Sequence, residues 1–184
     1  MNHLGTKALE TPRLILRPFT MDDAPAMYKN WASDPEVTKF LTWQPHTSEA
    51  ATLELLVFWV FQYTDPTVYQ WAIELKELGE PVGAISVVGR NEPIDAVEIG
   101  YCIGRNWWGQ GVTAEALARV IRFFFEEAGC NRVVAVHDLR NPNSGRVMEK
   151  CGMKFEGIHR KGARNNQGLC DVARYAILRE DWER

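Results

Sequence analysis

Between Ala96 and Gly129 the chain changes period. AVEIGYCIG, from Ala96, has the apolar content of a strand, whereas past Gly111 the run TAEALARVIRFFFEEAG places Leu117, Val120, Ile121 and Phe124 on one 3.6-residue stripe and stops at Gly129. The junction, Gly104-Arg105-Asn106-Trp107-Trp108-Gly109-Gln110-Gly111-Val112-Thr113-Ala114-Glu115, is glycine-rich and passes from a strand directly into a helix N-terminus. Such a junction confines what can surround it, because the strand before it and the strand after its helix must then lie parallel in one sheet.

The flanking segments complete the pattern. RLILRPF, from Arg13 to Phe19, suits a half-buried strand, and Thr20 then opens a helix to about Ala32 with Asp22 and Asp23 in its first turn. SDPEVTKFLTWQPHTS is broken by Pro35 and Pro45 and reads as a loop or short turns. Ser48 opens a second helix that runs out before Asp65-Pro66, with an apolar face wide enough to want a large packing surface. The runs from Val68, Val82 and Ala96, with turns at Gly79-Glu80-Pro81 and Asn91-Glu92-Pro93, imply an antiparallel meander. After the long helix come a strand RVVAVHD, a helix from Asn141 to about Cys151, and strands near Lys154 to His159 and Leu169 to Leu178. The expected architecture is α+β, one mixed and mostly antiparallel central sheet flanked by helices. With no repeat or Gly/Ser linker, residues 1–184 read as a single domain.

Composition narrows the function. A net charge of -3 provides no basic footprint for nucleic acid and suits a cationic amine slightly better. Cys102, Cys130, Cys151 and Cys170 form no CxxC pair and no cluster with histidine at metal-ligand spacing, so no metal site is expected. The start MNHLGTKALETPRL lacks a signal-peptide core and no run approaches a membrane span, so no membrane partner and a cytoplasmic location are expected.

The glycine-rich junction has several readings. A P-loop requires Lys directly after the second glycine of GxxxxGK[ST], and none occurs. GQGVTA does match the dinucleotide pattern GxGxxG/A, with Asp138 ending the next strand as a candidate ribose partner. That fingerprint, however, opens off the first strand of repeated βαβ units, whereas β-meander strands precede this turn. A purely structural tight turn is a further alternative. If the turn does bind, the ligand is an anion, since glycines allow close approach and first-turn amides with the helix dipole favour a pyrophosphate.

EIGYCIGRNWWGQGVTAEAL resembles the acyl-CoA signature Q/RxxGxG/A of the GNAT superfamily of N-acetyltransferases. TPRLILRPFTMDDAPAMYKNW, NPNSGRVMEKCGMKFEG and DVARYAILREDW are similar, in that order, to the other blocks of its RimJ/RimL-type branch. Asn106 departs from the signature, standing where Gln or Arg is usual. The resemblance implies acetyl-CoA as co-substrate, with the pyrophosphate held by main-chain N–H groups of Gly109, Gln110, Gly111, Val112, Thr113 and Ala114. It also implies that pantetheine pairs with the main chain around Tyr101, Cys102 and Ile103, and that Asn141 contacts the cofactor. Ser144 lies where relatives place a hydroxyl near the cofactor sulfur, and Met148 stands where many other members carry a tyrosine. As structural alternatives, Asn141 caps its helix, with Pro142 at the first helical position and Ser144 in the first turn.

Direct transfer needs a neutral amine, an acid for the departing thiolate and a base. Ser144 is the candidate acid. Glu98, on one strand face with Gly100 and Cys102, is the candidate water-mediated base, with simple solvation of the strand as the alternative. An α-amine costs only about 1 kcal/mol to deprotonate at pH 7 and a lysine about 4–5 kcal/mol, which tilts the acceptor towards a protein N-terminal α-amine. A small amine such as an amino acid, polyamine or antibiotic is the alternative acceptor, and a non-catalytic CoA-binding module the alternative class. The resemblance also allows a homodimer. Asp34, His46, His137 and Asp138 are taken as surface or packing residues, and Phe40 and Trp43 as candidate walls of the acceptor pocket.

Overall fold

The computed structural model describes residues 1–182. Its strands are β1 (Leu9–Glu10), β2 (Leu14–Arg17), β3 (Gln70–Leu75), β4 (Glu80–Asn91), β5 (Ala96–Ile103), β6 (Arg132–Asp138), β7 (Lys154–Asn165) and β8 (Gly168–Leu178). They form one sheet in the order β1-β2-β3-β4-β5-β6-β8-β7. Every neighbouring pair is antiparallel except β5 with β6, the two strands that flank the long helix α4 (Val112–Glu126). The α+β fold class follows as expected.

Two cores sandwich the sheet. On one face α4 inserts Leu117, Val120, Ile121, Phe123 and Phe124, all fully buried, against Val97, Ile99, Val133, Ala135, Tyr175 and Ile177, and α5 (Pro142–Lys150) adds Met148. Each large apolar side chain removed from water contributes roughly 1.5–3 kcal/mol before entropy is counted, so this stripe is the main weld between the β5 and β6 halves of the sheet. On the other face α1 (Ala24–Met27), a π-helical turn at Tyr28–Ala32, α2 (Pro35–Thr38) and α3 (Glu49–Gln62) supply Met27, Trp31, Val37 and Leu56. These pack on Phe19, Ala72 and Ala84, with Cys102 at the margin. By strand alternation, Glu98, Gly100 and Cys102 therefore share the α3 face, and Val97, Ile99 and Tyr101 the α4 face. Only Thr52 and Leu56 of α3 are buried; Leu53, Val57, Phe58 and Phe61 remain exposed, so the broad apolar surface read from the sequence is packed on one side alone.

Some boundaries differ from expectation. β1 is two residues long, too short for periodicity to reveal. Glu80 and Pro81, read as a turn, belong to β4, where a register shift between Ile73 and Glu74 lets the sheet accept a residue without an N–H. β7 runs on through RKGARN, a charged stretch that resembles loop, because a second irregularity between His159 and Ala163 bends the strand and resumes the ladder. A last turn, α6 (Arg179–Trp182), packs Trp182 towards Phe125. Among the described residues, no helix is long and apolar enough to cross a membrane, and no group of His, Cys, Asp and Glu is placed to hold a metal ion.

Candidate active site

The site begins where the ladder stops. β5 pairs with β6 only at Ala96, Val97 and Glu98, opposite Arg132, Val133 and Val134, although both strands continue to Ile103 and Asp138. Beyond Glu98 they splay into a V, while β5 keeps its full pairing with β4 through Tyr101, Cys102 and Ile103. One edge of β5 is thus an unpaired template for an extended ligand. It is not entirely free, because the indole Nε1 of Trp108 donates to the Ile103 carbonyl at 3.0 Å, leaving that oxygen its second lone pair.

At the end of β5 the chain turns through Arg105–Trp107 into α4. Gly109 and Gly111 have φ of 75° and 77°, the left-handed region that disfavours side chains, which explains the residue type at both positions. Gly111 is the α4 N-cap and carries no side chain to cap it, and the first amide returned to the helix is Glu115 N, donating to Gly111 O at 3.0 Å. The N–H groups of Gly111, Val112, Thr113 and Ala114 therefore precede the helical ladder, at the positive end of the dipole. The turn is braced from outside the cradle. Gln110 Nε2 donates to Asn106 O at 2.7 Å, and Arg13 reaches both Gln110 O at 3.1 Å and the Glu115 carboxylate at 2.6 Å. Asn106 is exposed at the rim, so the cradle is made of main chain and does not depend on the missing Gln or Arg. This geometry fits a pyrophosphate.

Across the V, α5 starts at Asn141, followed by Pro142 at the first helical position as the sequence implies. The Asn141 side chain makes no capping bond, so the capping alternative does not account for it. Ser144 Oγ donates to the Tyr101 hydroxyl at 3.1 Å, and that hydroxyl donates to Ser144 O at 2.9 Å. Burial pushes the Tyr101 phenol above its ordinary range, against a smaller opposing effect of the Ser144 hydrogen bond, which keeps it a neutral donor. Sequence reasoning assigned Tyr101 a main-chain role only; period-two alternation from Val97 and Ile99 would have aimed its ring at α5. Met148, by contrast, is fully buried in the core.

Glu98 lies on the opposite face from Ser144, at the apex of the V. Its Oε2 is 3.7 Å from Arg174 Nη1, and Arg174 in turn is 3.9 Å from Glu156, which also pairs with Arg132. Glu98 is half-buried at this apex, so the structure brings it to the gap, as an ion-paired carboxylate.

The remaining titratable candidates have structural partners. Asp34 accepts from Glu36 N at 2.9 Å as the α2 cap and pairs with Arg105 at 2.8 Å. His46 is held below its ordinary pKa by burial and shares a hydrogen bond with Thr52 at 2.8 Å. The His137 ring packs against Gly145, where an added Cβ would lie 2.6 Å from Nε2. Asp138 pairs with Arg140 at 2.6 Å and accepts from Asn165 at 2.8 Å; the Arg140 hydrogen bond foremost, over an opposing burial effect, holds the carboxyl far below its usual range. An acid so engaged is not presented to a ribose, which removes the dinucleotide reading. Burial lifts the Cys102 thiol to about 12, which disfavours a thiolate near neutral pH.

Comparison with known proteins agrees with this geometry. Residues 13–154 match the family model described as "Acetyltransferase (GNAT) domain". The chain is 28% identical over 176 residues to the uncharacterized N-acetyltransferase p20 of Bacillus licheniformis, covering 96% of this chain and 98% of that one. It is 32% identical over 100 residues to the ribosomal-protein-serine acetyltransferase of Escherichia coli, 54% of this chain and 55% of the relative. The crystal structure of a GNAT-family acetyltransferase from Bacillus anthracis superposes with a TM-score of 0.81 at 25% identity, covering 95% of this chain and 99% of the other.

Proposed function

Because the chain belongs to the GNAT acetyltransferase family and is thus an N-acetyltransferase, we propose that residues 1–184 act as one catalytic domain that moves the acetyl group of acetyl-CoA to a protein N-terminal α-amine. The observation that carries this reading is the V between β5 and β6 opening directly beside an uncapped helix start.

When bound, acetyl-CoA supplies the thioester carbonyl that the amine attacks and the thiolate that leaves. The amides of Gly109 to Ala114 would hold the diphosphate, the edge of β5 left unpaired by β6 around Tyr101, Cys102 and Ile103 would align the extended arm, and the uncommitted Asn141 side chain would offer a further polar contact. Positioning of this kind converts a bimolecular encounter into an oriented one and supplies much of the rate. Glu98 takes the proton of the incoming amine through water, and Ser144 turns its one hydroxyl proton from Tyr101 to the departing sulfur; Glu98 then gives its proton to solvent and Ser144 regains one, so one proton is lost by nitrogen, one is gained by thiol and both side chains are restored. Tyr101 fixes the Ser144 rotamer. A carboxylate is a weak base, which favours an α-amine over a lysine by about 3–4 kcal/mol of deprotonation at pH 7. The Escherichia coli relative, whose name assigns it a ribosomal-protein serine, supports a protein over a small amine as acceptor.

Thiol release from acetyl-CoA, followed across peptide N-termini, polyamines, amino acids and aminoglycosides, tests the reading. Peptides are expected to give the highest kcat/KM. Ser144→Ala is expected to lower kcat by about 10²-fold with little change in the KM for acetyl-CoA. Turnover of Ser144→Ala equal to the parent at every pH removes Ser144 as the acid; release with a small amine only removes the peptide acceptor.

A further inference from the structure

The mouth of the V is bridged. Residues 33–46 run out from Ala32, keep Val37 of α2 packed in the same core, and return, His46 N donating to Ala32 O at 2.8 Å, so they form a closed loop. One side of this loop is tied just beyond β5 by the Asp34–Arg105 pair at 2.8 Å. Its middle is tied to the tip of the β7–β8 hairpin by a single residue. Asn166 Nδ2 donates to Thr38 O at 2.8 Å and Trp43 O at 2.7 Å, its Oδ1 accepts from Gln44 Nε2 at 2.6 Å, and its backbone N–H donates to Leu41 O at 3.0 Å. The neighbouring Asn165 then donates to Asp138 at the end of β6.

These contacts run in a ring, from the end of β5 through Arg105 and Asp34, along the loop, through Asn166 and Asn165, to the end of β6. The two ends joined are the two lips of the V. The bend in β7, with Lys161 at a φ of 49° and Lys161 N donating to Asp171 at 2.7 Å, carries the hairpin tip to the loop. A groove of about 540 Å³, lined by Thr42, Gln44, Arg164, Asn165, Asn166 and Gly168, opens beside the joint.

Resting on the peptide α-amine reading above, we propose that Asn166 is a specificity-determining latch. It makes the acceptor mouth a closed eyelet that admits only amines carried on a chain that is slender for its first few atoms. Asparagine suits the position because an amide nitrogen has two donors for two carbonyls while its oxygen accepts from Gln44. Neither aspartate nor alanine reproduces that. An open groove would accept an amine from the side; a closed ring accepts it end-on, and a bulky first residue must displace the loop to enter.

The test compares the full-length enzyme with Asn166→Ala and with Gln44→Ala, which removes one latch bond at an exposed site. Peptides differ only in their first residue, Gly or Ser against Phe or Trp. For Asn166→Ala the ratio of bulky to small kcat/KM is expected to rise about tenfold or more, with the KM for acetyl-CoA unchanged. Gln44→Ala is expected to move the ratio in the same direction by less. A ratio unchanged in both variants, or an equal fall for all peptides, overturns the proposal. Trypsin cleavage after Lys39, in the loop, gives an arm independent of transfer: faster cleavage in Asn166→Ala supports the latch, and an unchanged rate overturns it. If no peptide is turned over by any form, the α-amine reading fails while the cleavage arm still judges the latch.

Discussion

The glycine turn after β5 and the ring of contacts across the open end of the V share one region of the fold and are built by opposite means. The turn is main chain: two glycines in the left-handed region, a helix that starts without a side-chain cap, and side chains that brace from behind. The ring is side chain, with Asp34 against Arg105, Asp138 against Arg140 and Asn165, and Asn166 joining two distant loops. A main-chain cradle tolerates exchange of most residues around it, as Asn106 illustrates, and needs only the glycines. A side-chain ring changes with single substitutions, so the same scaffold can keep the turn and alter the ring.

The contrast is broken most severely at Gly111. Gly111→Val forces a β-branched residue to a φ of 77°, a conformation that costs an L-residue roughly 1–2 kcal/mol and a branched one more. The displaced amides are expected to raise the acetyl-CoA dissociation constant tenfold or more, read by calorimetry; unchanged affinity would place the diphosphate elsewhere. Asp138→Ala probes the ring. It strips Arg140 and Asn165 of a buried acceptor and is expected to destabilise the fold by about 1–3 kcal/mol at pH 7 in urea unfolding. Because the folded carboxyl lies far below its usual range, its contribution is complete above the ordinary carboxylate pKa and is lost as pH falls. The gap between parent and variant should therefore begin to narrow below about pH 4 and go on narrowing as pH falls further; a gap independent of pH would assign the loss to packing. Smallest is Arg105→Ala, where the ring meets the turn. The pair with Asp34 is more than half exposed on the arginine side and is expected to stabilise by no more than about 1 kcal/mol, declining with added salt in the same assay.

How far the sequence could be read follows the same division. Gly109 and Gly111 had to be glycine for reasons local to the turn, and the α4 stripe is local to its helix, so the strand-turn-helix and the parallel pair around it were legible. Ser144 could be placed near the gap by the resemblance to the GNAT family, and Glu98 by alternation along its strand. Their partners could not. Tyr101 meets Ser144 across 43 positions and Asn166 meets Thr38 across 128, and no periodicity links such pairs. The edge strand β1 and the continuation of β7 escaped notice because one is too short to alternate and the other is charged along its exposed face.

The three-residue seam between β5 and β6 has a consequence for connectivity. Every strand on one side of it, β1 to β5, precedes Gly104, and every strand on the other follows Asn131, so the backbone crosses the seam once, through α4. The protein is two contiguous halves of a chain joined by one covalent tether. A cut near the tether would leave each half with its own strands already in order, able in principle to find the other as a fragment finds its complement.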